Sequence, residues 1–502
     1  MNLGRFWAIV FLSICFTIEG QTVSVGPSYS PSRNYEALGV VGESDGSLVL
    51  ARAISDKTTG LIKDIQLELF DLESLSLKSI YTFENITQNK QLNYPEGIYC
   101  WNDKVAVFTS AFVKENKSYE LNMSLLQDDG KLSAQQNLFS STTENFVYNR
   151  KRFILSVSEN HQSFACLRMS KSIHKNEPRV EIGRYDSTFT EINHLEIDLP
   201  FDAESPEIVD VLTDNLGNVH ALIKGFRNEE PVYSMFAFPV FGNETVEYQL
   251  SIPGKAINSI KTSLTSDDKI LIAGLTREHF EQPERNSGVF FLRIDRESGT
   301  IEAKGSYRFD TDLNGLNAGE EKNPLRNAFD GFFMNQIVAG KNNTATLIAE
   351  YYAEEEKCET DYRTGIITCF QVYKSGDVLL INFNEKGSVD WFIQEVKRQQ
   401  SKDDEGRYLG SVSVLNKHLG LSIVYNGLPP KDASKPETTL ESFDKSTLAI
   451  QQTSSNGQRL KELLTSVPDL PILPFTSRKL QNGRTYILSE NNGKASIVEL
   501  KP

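Results

Sequence analysis

GVVGESDGSLVLA, residues 39–51, is two short apolar runs around a polar turn near Asp45, and its recurrence decides the architecture. The same layout returns in IYCWNDKVAVFTS (98–110), LSVSENHQSFACL (155–167), VLTDNLGNVHALI (211–223) and SLTSDDKILIAGL (263–275). It appears again in VAGKNNTATLIAE (338–350), SVLNKHLGLSIVY (413–425) and LQNGRTYILSE (480–490), making eight inner pairs. Their turns fall near Asp45, Asp103, Asn160, Asn215, Asp267, Asn342, Lys417 and Asn482, in steps of about 52 to 75 residues, the spacing of an array of multi-stranded units. A second hairpin lies between successive inner pairs seven times, from IQLELFDLESLSLKSI (65–80) to TLAIQQTSSNGQRLKEL (447–463). In the first of these Ile65, Leu67 and Leu69 alternate with Gln66 and Glu68, the period of a strand. Gly130, Gly299, Gly387 and Gly457 sit at the turns, where a tight hairpin needs positive φ.

Eight inner and seven outer pairs leave the C-terminal unit one strand short, and TVSVGPS (22–28) is available to complete it. The expectation is an all-β chain: a single β-propeller of eight four-stranded blades, closed by its N- and C-terminal strands, so that no sheet edge is left open. Seven blades with a decorating hairpin, or two unrelated β domains, are the alternatives. Non-repeating sequence near 310–330, 352–376 and 426–446 reads as insertions, the first as loop and short helix. Function on repeat folds concentrates in such excursions.

Composition limits the partners. With 52 Lys and Arg against 67 Asp and Glu, the net charge of −15 repels phosphate backbones and anionic membrane surfaces, so no nucleic-acid partner is expected. Residues 1–20 read as a signal peptide, with basic Arg5, the apolar stretch FWAIVFLSICFTI and small Gly20; the propeller domain then occupies 21–502. Lipoprotein anchoring at Cys15 is the rival, although bulky Ile14 stands where a small residue is wanted. No later segment is apolar for long enough to span a bilayer, so no transmembrane segment is expected in the mature chain. A periplasmic or extracellular location follows.

Such a compartment permits disulfides. Cys358 and Cys369 flank ETDYRTGIIT, which reads as a hairpin turning near Arg363-Thr364-Gly365, and a cross-strand disulfide between them is expected. Spacing alone leaves it open whether Cys100 and Cys166 pair.

The strongest local motif is Asp310-Thr311-Asp312-Leu313-Asn314-Gly315 with Glu321. Alternate oxygens from Asp310, Asp312 and Asn314, the Leu316 carbonyl and the Glu321 carboxylate are spaced to surround Ca²⁺. The strand-like SYRF before it argues against an EF-hand; the other reading is a solvated acidic turn. Calcium is therefore the one cofactor with a candidate site. His161, His174, His194, His220, His279 and His418 form no zinc-binding spacing. Nucleophile-elbow and phosphate-loop motifs are absent, and Trp101 and Trp391 read as packing residues between blades.

GDVLLINFNEKGSVDWFIQEVKRQ followed by LGSVSVLNKHLGLSIVYN, within 376–426, resembles a signature of secreted β-propeller-like proteins of Bacteroidota. Its parts are a strand, a polar Gly turn, a Trp strand ending in Arg398-Gln399, and an inner hairpin ending in Tyr425-Asn426. The resemblance implies a propeller and an exported compartment, without an assigned activity. The functional expectation is an exported binding or scaffolding protein of the bacterial envelope with a protein or glycan partner. The competing expectation is a propeller hydrolase or lyase that acts on a glycan or lactone through carboxylates in the central channel.

Overall fold

Along Ser47–Ser55 consecutive side chains enter two different cores. Leu48 and Leu50 pack with Leu473, Tyr486, Leu488 and Ile497, whereas Val49 and Ala51 pack with Cys100, Val105 and Val107. A strand buried on both faces reads as an unbroken apolar run instead of an alternating one, which is why LVLA interrupts the usual polar spacing. Leu347 and Ile348, and Tyr486 and Ile487, divide in the same way between successive cores. Each fully buried aliphatic of this kind contributes roughly 1.5–3 kcal/mol.

The computed structural model describes residues 15–18, 21–55, 62–84, 94–142, 153–171, 177–202, 206–241, 245–267, 269–278, 285–313, 329–416, 420–428, 438–464 and 469–501. They form eight antiparallel sheets of consecutive strands. Blade 1 comprises Glu36–Ser44, Ser47–Ser55, Ile62–Asp71 and Leu77–Phe83. Blades 2 to 7 occupy 94–142, 154–198, 207–250, 256–308, 332–395 and 411–464. Blade 8 takes Ile472–Lys479, Thr485–Asn491 and Lys494–Lys501 from the C-terminus and Gln21–Val25 from the N-terminus, paired from Thr22 with Lys501 to Val25 with Val498. The chain is therefore an eight-bladed propeller closed by its two ends, and the seven-bladed and two-domain alternatives are set aside. Cys15–Ile18 adds a fifth, outermost strand to blade 8, and Gln399–Lys402 adds one to blade 6; without them these blades have the same four strands as the others. The residues of the expected signal peptide thus lie partly on a sheet edge and partly outside the described residues.

The apolar core is a ring of layers, one at each blade junction, with no single centre. Polar clamps tie the layers at their rims. Arg184 of blade 3 donates to the carbonyls of Phe238 and Pro239 in blade 4, each at 2.8 Å, and Arg293 of blade 5 donates to those of Asn343 and Glu385 in blade 6. Trp101 and Trp391 are the inter-blade residues expected, donating to Ser187 O at 2.6 Å and Ser455 O at 3.0 Å. At the closing junction Arg52, 1 % exposed, lies 3.0 Å from Glu68 of its own blade and 2.6 Å from Glu490 of blade 8, and the Tyr29 hydroxyl donates to Glu68. Gly130, Gly299, Gly387 and Gly457 all have positive φ at hairpin turns; at Gly457 a Cβ would also come within 2.5 Å of the Trp391 ring.

The insertions behave differently from one another. Of 310–330, residues 314–328 and with them the expected short helix lie outside the described residues. Residues 352–376 extend the second and third strands of blade 6, which run Ala345–Thr360 and Ile367–Phe383. From 426–446, of which 429–437 are not described, Leu440 and Phe443 pack on Leu409 in a small satellite cluster.

Junction packing makes a direct prediction for stability. Phe291→Ala removes a fully buried ring stacked on Phe383 at 4.7 Å across blades 5 and 6, and is expected to lower the unfolding free energy in urea by about 3–5 kcal/mol. Ile301→Ala, on an outer strand and 53 % exposed, is expected to change it by no more than about 0.5 kcal/mol.

Candidate functional site

First strands face the axis of the ring, as Glu36–Ser44 does between Tyr94–Trp101 and Ile472–Lys479. Two carboxylates on these strands serve structure. Asp210 of blade 4 accepts the Thr262 backbone N–H at 3.1 Å and its hydroxyl at 2.8 Å, from blade 5. Glu96 of blade 2, 2 % exposed, accepts the Ser110 hydroxyl at 2.5 Å and the Phe153 N–H at 3.3 Å. Both carboxylates are thus engaged in the scaffold.

Blade 8 departs from its neighbours at PFTS, residues 474–477. Leu473 pairs with Leu488 and Arg478 with Tyr486, so four residues of the first strand stand opposite Ile487 alone. Pro474 supplies no N–H to a ladder, and the chain bulges there. The Thr476 hydroxyl repairs the gap by donating to Leu473 O at 2.7 Å and accepting Leu488 N–H at 3.0 Å. Farther along, Gln481 donates to the Glu159 carbonyl at 3.0 Å, joining the inner turns of blades 8 and 3 across blades 1 and 2.

Between blades 1 and 2, beside this bulge, lies a cavity of about 320 Å³. Val40, Ile65, Pro95 and Ile98 give it apolar walls, and Arg478 reaches it from blade 8. On blade 1 Gly39, which lines the cavity, and Gly42 just beyond it sit at bulges with φ of 138° and 154°, and a Cβ on Gly42 would come within 2.8 Å of Cys100. The Arg478 guanidinium lies 5.9 Å from the Tyr99 ring centroid and makes no hydrogen bond or ion pair among the described residues. Its charge reaches the surroundings. Burial first, and then Arg478, hold the His161 imidazole below its ordinary range, while His161 stacks on Trp101 at 6.1 Å. Burial pushes the Cys100 thiol up to about 12 and that of Cys166 up to about 12; both are free and inert as thiolates near neutral pH.

The second candidate is the blade 6 hairpin. Cys358 and Cys369 are cross-strand partners joined by the expected disulfide, with Cα atoms 4.0 Å apart. At its tip Gly365, φ 70°, donates to Asp361 O at 2.7 Å, and the Asp361 carboxylate accepts the Arg363 N–H, which holds its pKa below the usual range. Tyr362, Ile366 and Ile367 are 99 %, 61 % and 64 % exposed there. The base is braced: Gln399–Lys402 pairs with Val372 to Ser375, and Lys402 sits over the Phe370 ring at 3.3 Å.

Of the expected calcium ligands, Asp310 is paired with Arg308 at 3.1 Å, which lowers its pKa, and Asp312 accepts the Arg308 backbone N–H at 2.8 Å. Asn314, Leu316 and Glu321 lie outside the described residues, as do His174, His279 and His418. Among the described residues no three His, Cys, Asp or Glu side chains converge as metal ligands. The 376–426 signature is a joint between blades. Gln399 donates to Asn426 O, and Asn426 donates to Ile472 O and accepts its N–H, all at 2.8 Å. Nearby Lys397, fully buried, gives its protons to Glu350, Ser375 and Gln399, and burial pushes its pKa down. Arg478 escaped the sequence reading; the proline inside an otherwise strand-like PILPFTSRKL was the available signal.

No protein-family model matches the chain, and a search of curated proteins finds no relative. Solved structures similar to it include the Dos1 propeller, TM-score 0.45 and 10% identity over 94% of this chain and 95% of that one. The WD40 domain of SCAP from fission yeast gives 0.40 and 9% over 98% of both chains. A periplasmic gluconolactonase of Pseudomonas aeruginosa gives 0.34 and 11% over 71% and 88%.

Coupling between Arg478 and His161 is measurable. A depressed imidazole pKa means the unfolded chain binds the proton more readily, so its contribution lowers stability as pH falls from above 6.5 through the folded value. Arg478→Gln is expected to raise the His161 pKa in NMR titration and to reduce that acid sensitivity; an unchanged pKa would disprove the coupling.

Proposed function

We propose that the protein is an exported β-propeller binding module of the bacterial envelope, with the clasped hairpin of blade 6 as its docking element for a protein partner. The observation that carries this reading is the exposure of Tyr362, Ile366 and Ile367 together on an arm fixed by the Cys358–Cys369 disulfide and braced by Gln399–Lys402. Exposed aromatic and aliphatic side chains on a preorganised arm lose little conformational entropy on binding and have apolar area to bury. The disulfide is compatible with an oxidising compartment, and the resemblance to secreted propeller-like proteins supports the same location. Engagement of Glu96 and Asp210 within the scaffold weighs against a channel hydrolase or lyase built on those two groups.

The test is affinity isolation of the tagged mature protein from its native envelope after mild cross-linking, beside a variant carrying Tyr362→Ser, Ile366→Ser and Ile367→Ser. A stoichiometric partner is expected with the parent and is lost from the variant, while the thermal unfolding of the ring is unchanged because the tip contributes to none of the junction cores. A partner retained by the variant would remove the hairpin from the interface. Cys358→Ser with Cys369→Ser is expected to weaken capture without unfolding the propeller.

A further inference from the structure

We propose that the axial cavity between blades 1 and 2 binds a small monocarboxylate with an apolar body, the carboxylate meeting Arg478. This goes beyond the docking role and does not rest on it. Arg478 is half-buried where it lines the cavity and makes no side-chain hydrogen bond or ion pair among the described residues, so its N–H donors are open to a ligand. Its fork of N–H donors matches a planar carboxylate. The position of that fork is built: the four-residue bulge carries it to the cavity, Thr476 locks the bulge, and Gln481 ties the following turn to blade 3.

The rest of the lining sets the ligand's body. Val40, Ile65, Pro95 and Ile98 offer dispersion contacts and few acceptors, which suits a hydrocarbon portion. Glu96 also borders the cavity, and its charge opposes a second anionic group at that end. A monocarboxylate therefore fits better than a dicarboxylate. At about 320 Å³ the space lies at the lower limit of small-molecule sites, so the ligand is small.

Calorimetry on the full chain with hexanoate, and with hexanamide as the uncharged isostere, tests the assignment. Saturable binding of one hexanoate is expected, weakened by about tenfold or more both in hexanamide and in Arg478→Gln. Ile98→Phe, which keeps Arg478 and fills the cavity, is expected to abolish binding. Saturating hexanoate should also raise the His161 pKa, because it screens the Arg478 charge that depresses it. No saturable heat with hexanoate up to about 10 mM would overturn the proposal, as would undiminished binding by a folded Arg478→Gln protein. If that variant fails to fold, undiminished binding by Ile98→Phe overturns it instead.

Discussion

Everything in this molecule depends on burying both faces of each blade's second strand. Val49 and Leu50 are adjacent in sequence and both fully buried, yet they belong to different junctions, so blade 1 is incomplete without a neighbour on either side. A row of such sheets leaves two raw apolar faces at its ends. A closed ring leaves none, and that is the physical reason that the chain returns Gln21–Val25 to its own C-terminal strands.

The junctions on either side of blade 8 join segments from opposite ends of the chain: Val23 packs with Val412 and Val424 on one side, and blade 1 meets the C-terminal strands on the other. At the junction with blade 1 the apolar layer of Val40, Leu48, Leu473 and Tyr486 is accompanied by the buried Arg52, Glu68 and Glu490 group and by Tyr29, whose hydroxyl is pushed up chiefly by burial. A buried ion pair adds little net stability over an apolar pair of the same shape, but it penalises every arrangement in which one partner is unpaired. Placed where blade 8 meets blade 1, such a group favours this closure over an alternative docking of the terminal strands. The six junctions from blade 1 to blade 7, formed by blades that follow one another along the chain, need less of that discrimination.

The two-sided burial also explains what the sequence could disclose. Apolar runs around polar turns mark every inner pair, and local hairpins such as the one closed by Cys358 and Cys369 are legible because their partners are neighbours in sequence. Counting strands exposes the missing one and so the closure. Arg478 was illegible for the opposite reason: its surroundings come from blades 1, 2 and 3, hundreds of residues away, and depend on how far residues 474–477 displace the strand. The Gln399 and Asn426 contact is similar. Both side chains turn inward to join blades 6, 7 and 8, partners that a local sequence pattern does not name.

A comparison among the arginines separates scaffold from site. Arg184 and Arg293 deliver their N–H groups to carbonyls of the next blade, and Arg52 faces two carboxylates. In each case the guanidinium spans a junction and ties two neighbouring blades, so a scaffold role accounts for it. Arg478 is held just as firmly by its backbone, yet its guanidinium is directed to an aromatic face and an apolar cavity. The blade junctions do not require the charge, and the bulge that delivers it interrupts a strand that could otherwise have continued its ladder. An interruption of the repeat, and at the same place a guanidinium that joins no neighbouring blade by hydrogen bond or ion pair among the described residues, are what distinguish a ligand-facing residue from the clamps that hold the ring.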